Sequence, residues 1–491
     1  MLLTIVPDIP MLCDAIQNCI DTIADQEDET NIFCCNQLFK LAQLMDLQEE
    51  GSRRHFLASC RSILASSHTP EDVLEEAIKA MARAHDREDE YLESVGMIIE
   101  PMADQLRRIS ILTLVLENTS PRMATHDSLK AFVKHIVPAV IDDTNNPMIR
   151  EAGVGCLGRL ALLSEEATVL ADFKPLLLGI VADEEEKLEI RGQAMLALCD
   201  LTMLFDNMLL PVELNGKEVG FITHVSDMLQ NKNPAVVAIA SEVASKLLFS
   251  GKVQDHVLVA AILVVFFDKK YNDYDENDDV QQVGSVYRMQ QLLSLFFQAY
   301  SKKGFHLVPS IGPMLAATAT KKRGRKVFPI AKMIEFVYSV EEEGIDEENK
   351  NKDNTNNALL VCIELSNFLL HNSDNISTAS LRILSKLLGG ADVDLEKSSH
   401  VELVGLKEKV NELTMLISDS PSLESLETVV ELLEDVQEGE DSIVVDDNDD
   451  EELVETMAAV TLEKENPGVS VKAGGGAPKR RTRRQALGEQ N

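Results

Sequence analysis

The chain has 491 residues, 45% of them hydrophobic and only 4% aromatic, with no Trp and a formal net charge of −36. Apolar content on that scale builds a core, and Leu, Ala, Val and Ile with so few aromatics point to packed helices and away from a β-sandwich. The charge excludes nucleic-acid or membrane binding spread over the whole surface, so any contact with a polyanion must be local.

The N-terminus, Met1-Leu2-Leu3-Thr4-Ile5-Val6-Pro7-Asp8, lacks the basic start of a signal peptide. Apolar periodicity predicts helices over 8–25, 31–48, 53–66, 70–84, 88–118 and 126–141, separated by turn clusters such as Ser66-Ser67-His68-Thr69-Pro70. Met1–Cys19 holds Leu2, Leu3, Ile5, Val6, Ile9, Met11, Leu12 and Ile16, so the first helices are expected to expose an apolar edge.

A repeated signature follows. Asn146-Pro147-Met148-Ile149-Arg150-Glu151 leads into Ala152–Leu160, Leu188-Glu189-Ile190-Arg191 into Gln193–Leu201, and Asn233-Pro234-Ala235-Val236-Val237 into Ala240–Leu247. Ile149 and Ile190 are 41 residues apart and Ile190 and Val236 are 46 apart, the period of paired-helix HEAT units. Gly153, Ala194 and Ala240 share one register, as do Leu157, Leu198 and Ala244, and then Leu160, Leu201 and Leu247. Their spacing of three or four residues makes one apolar stripe per helix, which a single pair cannot bury, so neighbouring pairs must stack. Weaker copies flank the clear ones of 145–251, at Pro70, Val73, Ala77 and Met81, and at Ile376, Ser380, Leu384 and Leu387. The fold expected is an all-α HEAT-repeat solenoid over 1–437.

Beyond Gly251, the run Val257–Phe267 is too short to span a bilayer and reads as a buried helix. An acidic loop at 268–279, helices over 286–300 and 328–340, a mobile polar insertion over Glu341–Asn357, and two or three more helices up to Val436 complete the expected body. From 438 to 491 an acidic block, Asp446–Glu452, gives way to Gly474-Gly475-Gly476 and then to a basic block; this part is expected to be a disordered tail with a short helix near Glu451–Leu462.

The chain offers no active site. Gly153-Val154-Gly155-Cys156-Leu157-Gly158 spells the dinucleotide fingerprint, but it falls inside a repeat helix whose N–H groups are already bonded, so close helix packing explains the glycines better. Asp273, Asp275 and Asn277 imitate a calcium loop, yet Asp278 replaces its Gly and Gly284 its bidentate Glu. The eight Cys include no C-x-x-C pair, and those in apolar helical positions, such as Cys156 and Cys199, act as small hydrophobes in a reducing setting. No catalytic group, metal site or cofactor is expected.

Two basic clusters stand out. Lys321, Lys322, Arg323, Arg325 and Lys326 are either a solvated loop or a contact to DNA phosphates. Lys479, Arg480, Arg481, Arg483 and Arg484 are either a nuclear-localisation signal or an unspecific electrostatic arm. Thr69-Pro70, Ser120-Pro121 and Ser420-Pro421 fit proline-directed kinases, and equally fit plain turns.

Over about residues 1–390 the chain resembles the C-terminal half of condensin subunit 3, the CAP-G type HEAT subunit. The likeness rests on Asn145–Asp206, on Thr69-Pro70-Glu71-Asp72, and above all on Phe266-Phe267-Asp268 with Tyr287-Arg288-Met289-Gln290-Gln291-Leu292-Leu293-Ser294-Leu295-Phe296-Phe297-Gln298-Ala299-Tyr300. It implies a non-enzymatic regulatory scaffold that binds the kleisin subunit, reaches the SMC subunits through the complex, and clamps double-stranded DNA without sequence specificity in mitotic chromosome condensation. Nucleus and chromosome, with a cytoplasmic pool, are the implied location, and no membrane is involved. Family members are longer, so the resemblance places the start of this chain mid-solenoid, as a fragment or a short form. The alternative is another HEAT scaffold, a nuclear transport receptor or a phosphatase-type scaffold.

Overall fold

The computed structural model describes residues 8–437 except 26–28, 67–68, 120–126, 142–145, 215, 272–279, 320–327, 345–355, 392 and 394–397. By contacts the chain divides into Met1–Leu433 and Glu434–Asn491.

Helices follow one another throughout. They are α1 (Ile9–Asp25), α2 (Glu29–Ala42), α3 (Glu50–Ala65), α4 (Glu71–Ala84), α5 (Glu88–Ile99), α6 (Gln105–Glu117), α7 (Asp127–Ile141) and α8 (Pro147–Leu162). Next come α9 (Glu166–Thr168), a π turn at Val169–Phe173, α10 (Lys174–Ala182), α11 (Leu188–Leu204), α12 (Phe221–Leu229), α13 (Pro234–Ser250), α14 (His256–Phe267) and α15 (Val280–Lys302). The series closes with α16 (Ile311–Thr318), α17 (Ile330–Gly344), α18 (Asn357–Asn372), α19 (Thr378–Gly389), α20 (His400–Leu416) and α21 (Ser420–Gln437).

Local chemistry sets where these helices begin. The side chains of Asn146, Asn233 and Asp255 accept from Met148 N–H (3.1 Å), Ala235 N–H (2.9 Å) and Val257 N–H (2.8 Å), satisfying donors that the first turn leaves open. Pro147 and Pro234 follow two of those caps at the first helical position, where a missing N–H costs nothing. Gly251 ends α13 in the left-handed region, at φ 76°.

The helices stack as two rows. In one row α2, α4, α6, α8, α11, α13, α15, α17 and α19 each pack on the next; in the other, α3 packs on α1 and α5, α5 on α7, and the run from α10 through α12, α14, α16 and α18 to α20 continues the series. Among the described residues the main helix contacts are therefore those between neighbouring repeats, the arrangement that makes a HEAT solenoid. All nine residues of the predicted register are buried: Gly153, Ala194 and Ala240, Leu157, Leu198 and Ala244, and Leu160, Leu201 and Leu247. Leu293 of α15 continues the last series one repeat further, also buried. Burial pushes the thiols of Cys156, Cys199 and Cys362 up to about 12, so they remain protonated and pack as hydrophobes.

Several expectations need correction. The single helix over 88–118 is two, broken at 100–104, where Pro101 lacks a donor and Asp104 caps Arg107 N–H at 3.1 Å. Ile9, Leu12 and Ile16 are buried against α2 and α3, while Met11 of α1 and Phe33 of α2 are exposed; Leu2, Leu3, Ile5 and Val6 lie outside the described residues. Four helices, α18 to α21, occupy the stretch where two or three are expected. In α19 it is Leu388, not Leu387, that joins Leu384 in the core. The helix expected to end at Val340 continues to Gly344 and draws Glu341 out of the expected polar insertion into the interior. There its carboxylate accepts from the N–H groups of Leu307 and Val308 and lies 3.4 Å from His306 Nδ1, capping the turn that leads into α16.

A small antiparallel hairpin is also present, β1 (Val212–Leu214) and β2 (Lys217–Val219), with Val212 opposite Val219. Its sequence signal is Asn215-Gly216, and Gly216 has φ 75°. The connector before it is held by Lys174, whose buried ammonium donates to the carbonyls of Asn207 (3.0 Å) and Leu210 (2.7 Å).

Candidate interaction surface

Small residues let the row of α6, α8, α11 and α13 close up. A Cβ added at Gly158 of α8 would stand 2.6 Å from Ala197 Cβ of α11, and one at Gly153 would stand 3.1 Å from Ala139 Cβ of α7. Gly153 and Gly158 of the dinucleotide-like run thus serve helix approach, inside α8 as expected.

On the outer face of this row charged side chains recur once per repeat. Arg159 Nε of α8 donates to Glu117 Oε1 of α6 at 2.5 Å, and its Nη1 donates to the Gly155 carbonyl at 3.1 Å. Asp200 occupies the same register in α11 and Lys246 in α13. Lys246 Nζ lies 3.0 Å from Glu242 Oε1, while Arg288 Nη2 of α15 donates to Glu242 Oε2 at 3.2 Å. Desolvation raises the Asp200 carboxyl above its ordinary value, opposed by Lys246 and Arg159. Between α6, α8 and α11 the face opens into a cleft of about 490 Å³. The sequence reading missed this ladder; its signal was the set of charges at 117, 159, 200 and 246, spaced like the buried leucines beside them.

The aromatic residues singled out in the sequence come together at the next repeats. Phe266 and Phe267 of α14, Phe297 of α15 and Phe336 of α17 form a cluster with ring centroids 5.2–5.5 Å apart. Phe296 packs on Tyr300 at 5.2 Å, and Tyr300 stacks on Phe305 at 4.8 Å. Edge-to-face pairs of this kind add to simple burial and lock three helices together.

Among the described residues no group of three or more His, Cys, Asp and Glu could hold a metal ion, and no helix is long and apolar enough to cross a membrane. The five cations at 321–326 and the five at 479–484 lie outside the described residues, as do the acidic stretch 272–279 and the tail from 438. Of the three Ser/Thr-Pro dipeptides, Ser120 also lies outside, Thr69 is buried with its hydroxyl donating to the Ile63 carbonyl at 2.9 Å, and Ser420 is exposed at the start of α21.

The model of the C-terminal domain of nuclear condensing complex subunits, Cnd3, matches residues 107–391. The chain belongs to this condensin subunit 3 family. A crystal structure of the S. pombe condensin Cnd3-Cnd2 subcomplex aligns with 89% of this chain and 58% of that chain, at a TM-score of 0.64 and 18% identity, and so shares the fold. The condensin-family chain described here thus spans 58% of the length of that relative. A structure of Kap95p with RanGDP aligns with 86% of this chain and 58% of that one, at a TM-score of 0.39 and 11% identity, too distant to carry an argument. No curated protein sequence matches the chain.

Proposed function

We propose that this condensin HEAT subunit is a non-catalytic scaffold that binds the kleisin subunit, meets the SMC subunits through the complex, and contributes to holding double-stranded DNA during chromosome condensation. The family match over the central repeats carries the reading. The S. pombe relative, solved with Cnd2, supports the kleisin part. A stack of repeats offers a long continuous surface, and phosphate contacts along it would hold DNA without reading bases. Lys321, Lys322, Arg323, Arg325 and Lys326 are the residues proposed for those contacts. The chain as a whole carries a net charge of −36, so its acidic remainder would repel DNA elsewhere and confine it to them. Such a scaffold needs no cofactor and works in the nucleus and on chromosomes, with a cytoplasmic pool.

Affinity purification from mitotic cells followed by mass spectrometry tests the assignment. Kleisin and SMC chains should co-purify in stoichiometric amounts; transport cargo or phosphatase subunits in their place would overturn it. Nuclear entry is proposed to depend on Lys479, Arg480, Arg481, Arg483 and Arg484. Deleting residues 479–484 should leave the protein cytoplasmic, and unchanged localisation by microscopy would reduce the block to an unspecific arm.

A further inference from the structure

The cleft across α6, α8 and α11 has features that packing alone does not require. Its floor includes Gly155 and Gly158, and its volume of about 490 Å³ falls within the ~300–1,000 Å³ typical of binding pockets. Gly158 earns its place by letting α11 approach. Gly155 does not: a Cβ there would meet only the ends of two flexible side chains, Arg159 Nη1 at 3.4 Å and Gln193 Oε1 at 3.7 Å. A glycine inside a helix costs about 1 kcal/mol relative to alanine, so its effect here is to keep the floor bare and the cleft deep. Leu162 and Leu196 form apolar walls beside it.

The charge at the rim is asymmetric. Arg159 is the cleft's cation, and it is already held by the Glu117 carboxylate at 2.5 Å and the Gly155 carbonyl at 3.1 Å. Asp200 stands opposite on α11; Lys246 and Arg159 act on its carboxylate through space, Lys246 being itself held by Glu242, and among the described residues no donor is bonded to it. Within the lining of the cleft two carboxylates therefore face one cation, at the edge of an apolar trough. An occupant that complements this arrangement brings its own positive charge to Asp200 and an aliphatic side chain to the glycine floor.

We propose that this cleft docks a peptide segment of a partner protein in which a leucine-like side chain lies beside an arginine or lysine. The apolar side chain fills the trough over Gly155 between Leu162 and Leu196, and the cation reaches Asp200. The proposal goes beyond the kleisin and DNA contacts proposed above; the cleft is lined by α6, α8 and α11 and by Thr119 and Leu163 just past two of them.

The test uses the full chain and three fluorescein-labelled peptides, four repeats each of Ala-Leu-Arg, Ala-Ser-Arg and Ala-Leu-Glu, followed by anisotropy at about 0.15 M salt, where charges beyond ~8 Å are screened. Ala-Leu-Arg should bind, Ala-Ser-Arg should bind at least about tenfold more weakly, and Ala-Leu-Glu should not bind. Gly155→Leu fills the trough, and Asp200→Asn removes the rim charge; each should weaken Ala-Leu-Arg by about tenfold or more. Asp200→Asn, outside the core, keeps the test decisive if Gly155→Leu alters α8. Equal binding of Ala-Leu-Arg and Ala-Ser-Arg, or parent-like affinity in Asp200→Asn, would overturn the proposal and leave diffuse attraction to an acidic chain. Loss of kleisin co-purification with peptide binding intact would count against the condensin reading alone.

Discussion

A methyl added at Gly158 would stand 2.6 Å from Ala197 Cβ, and one added at Gly192 the same distance from Ile239 Cδ1, yet the two substitutions should differ in sign. The Ile239 methyl is the far end of a flexible side chain and can turn away. Gly192→Ala should therefore gain up to about 1 kcal/mol in helix propensity. Ala197 Cβ is fixed to its helix, so Gly158→Ala must push α8 and α11 apart. That strain should outweigh the propensity gain and leave a net loss of about 1 kcal/mol or more. Pairing it with Ala197→Gly should restore most of the loss. Chemical denaturation of the three variants checks this, and matching signs for the two single substitutions would refute the close-packing account of the α8 glycines.

Between elements, a few polar clamps fix how one helix meets the next. Arg382 of α19 grips Asp419, the residue before α21, donating from Nη2 at 2.8 Å and from Nε at 3.1 and 3.2 Å. Asp419 also accepts from Ser422 Oγ at 2.8 Å. The Arg382 hydrogen bonds, with help from Ser422, hold the Asp419 carboxyl down at about 2, against an ordinary value of 3.8. A depressed carboxylate contributes fully above its ordinary value and loses its contribution as pH falls through the folded one. Asp419→Asn should therefore melt at a lower temperature than the parent at pH 7, and the gap should narrow from about pH 4 downwards and close near pH 2. A gap independent of pH would show that the clamp is not ionic. The hairpin of β1 and β2 behaves differently, because it leans on α10 at the margin of the stack. Gly216→Val forces a β-branched residue into φ 75°, which should cost about 1–2 kcal/mol locally. Amide exchange over 212–219 should rise while the melting temperature of the helices stays close to that of the parent.

At the scale of the whole molecule, the proposed DNA contact depends on charge placement. Each phosphate neutralised by Lys321, Lys322, Arg323, Arg325 or Lys326 releases condensed counterion, with a slope of about 0.9 per contact in log affinity against log salt. Replacing all five with Ala should flatten that slope by up to about 4 to 5 units, measured with the kleisin partner present. The loss should be alike on unrelated duplexes, because phosphates carry no base identity. An unchanged slope would assign 321–326 to a solvated loop.

Periodicity along the chain determined the helical class, the paired repeats and the core register at Leu160, Leu201 and Leu247, because a 3.6-residue apolar pattern and an Asn-Pro cap act within one or two turns. The phenylalanines of 266–300 were legible as a family likeness, although nothing local showed that Phe336 would complete their cluster. The tertiary structure alone decided which side chains meet across repeats. Glu117, Arg159 and Asp200 are some forty residues apart in turn, and they share one cleft only because stacked helices bring equivalent positions together. Glu341 reads as the edge of a polar insertion, and it is buried because the free N–H groups of Leu307 and Val308 lie one repeat back, within reach of its carboxylate. Leu388 displaced Leu387 from the core for a related reason: adjacent apolar residues look equivalent along the chain, and the packing of α19 on α17 and α18 selects between them.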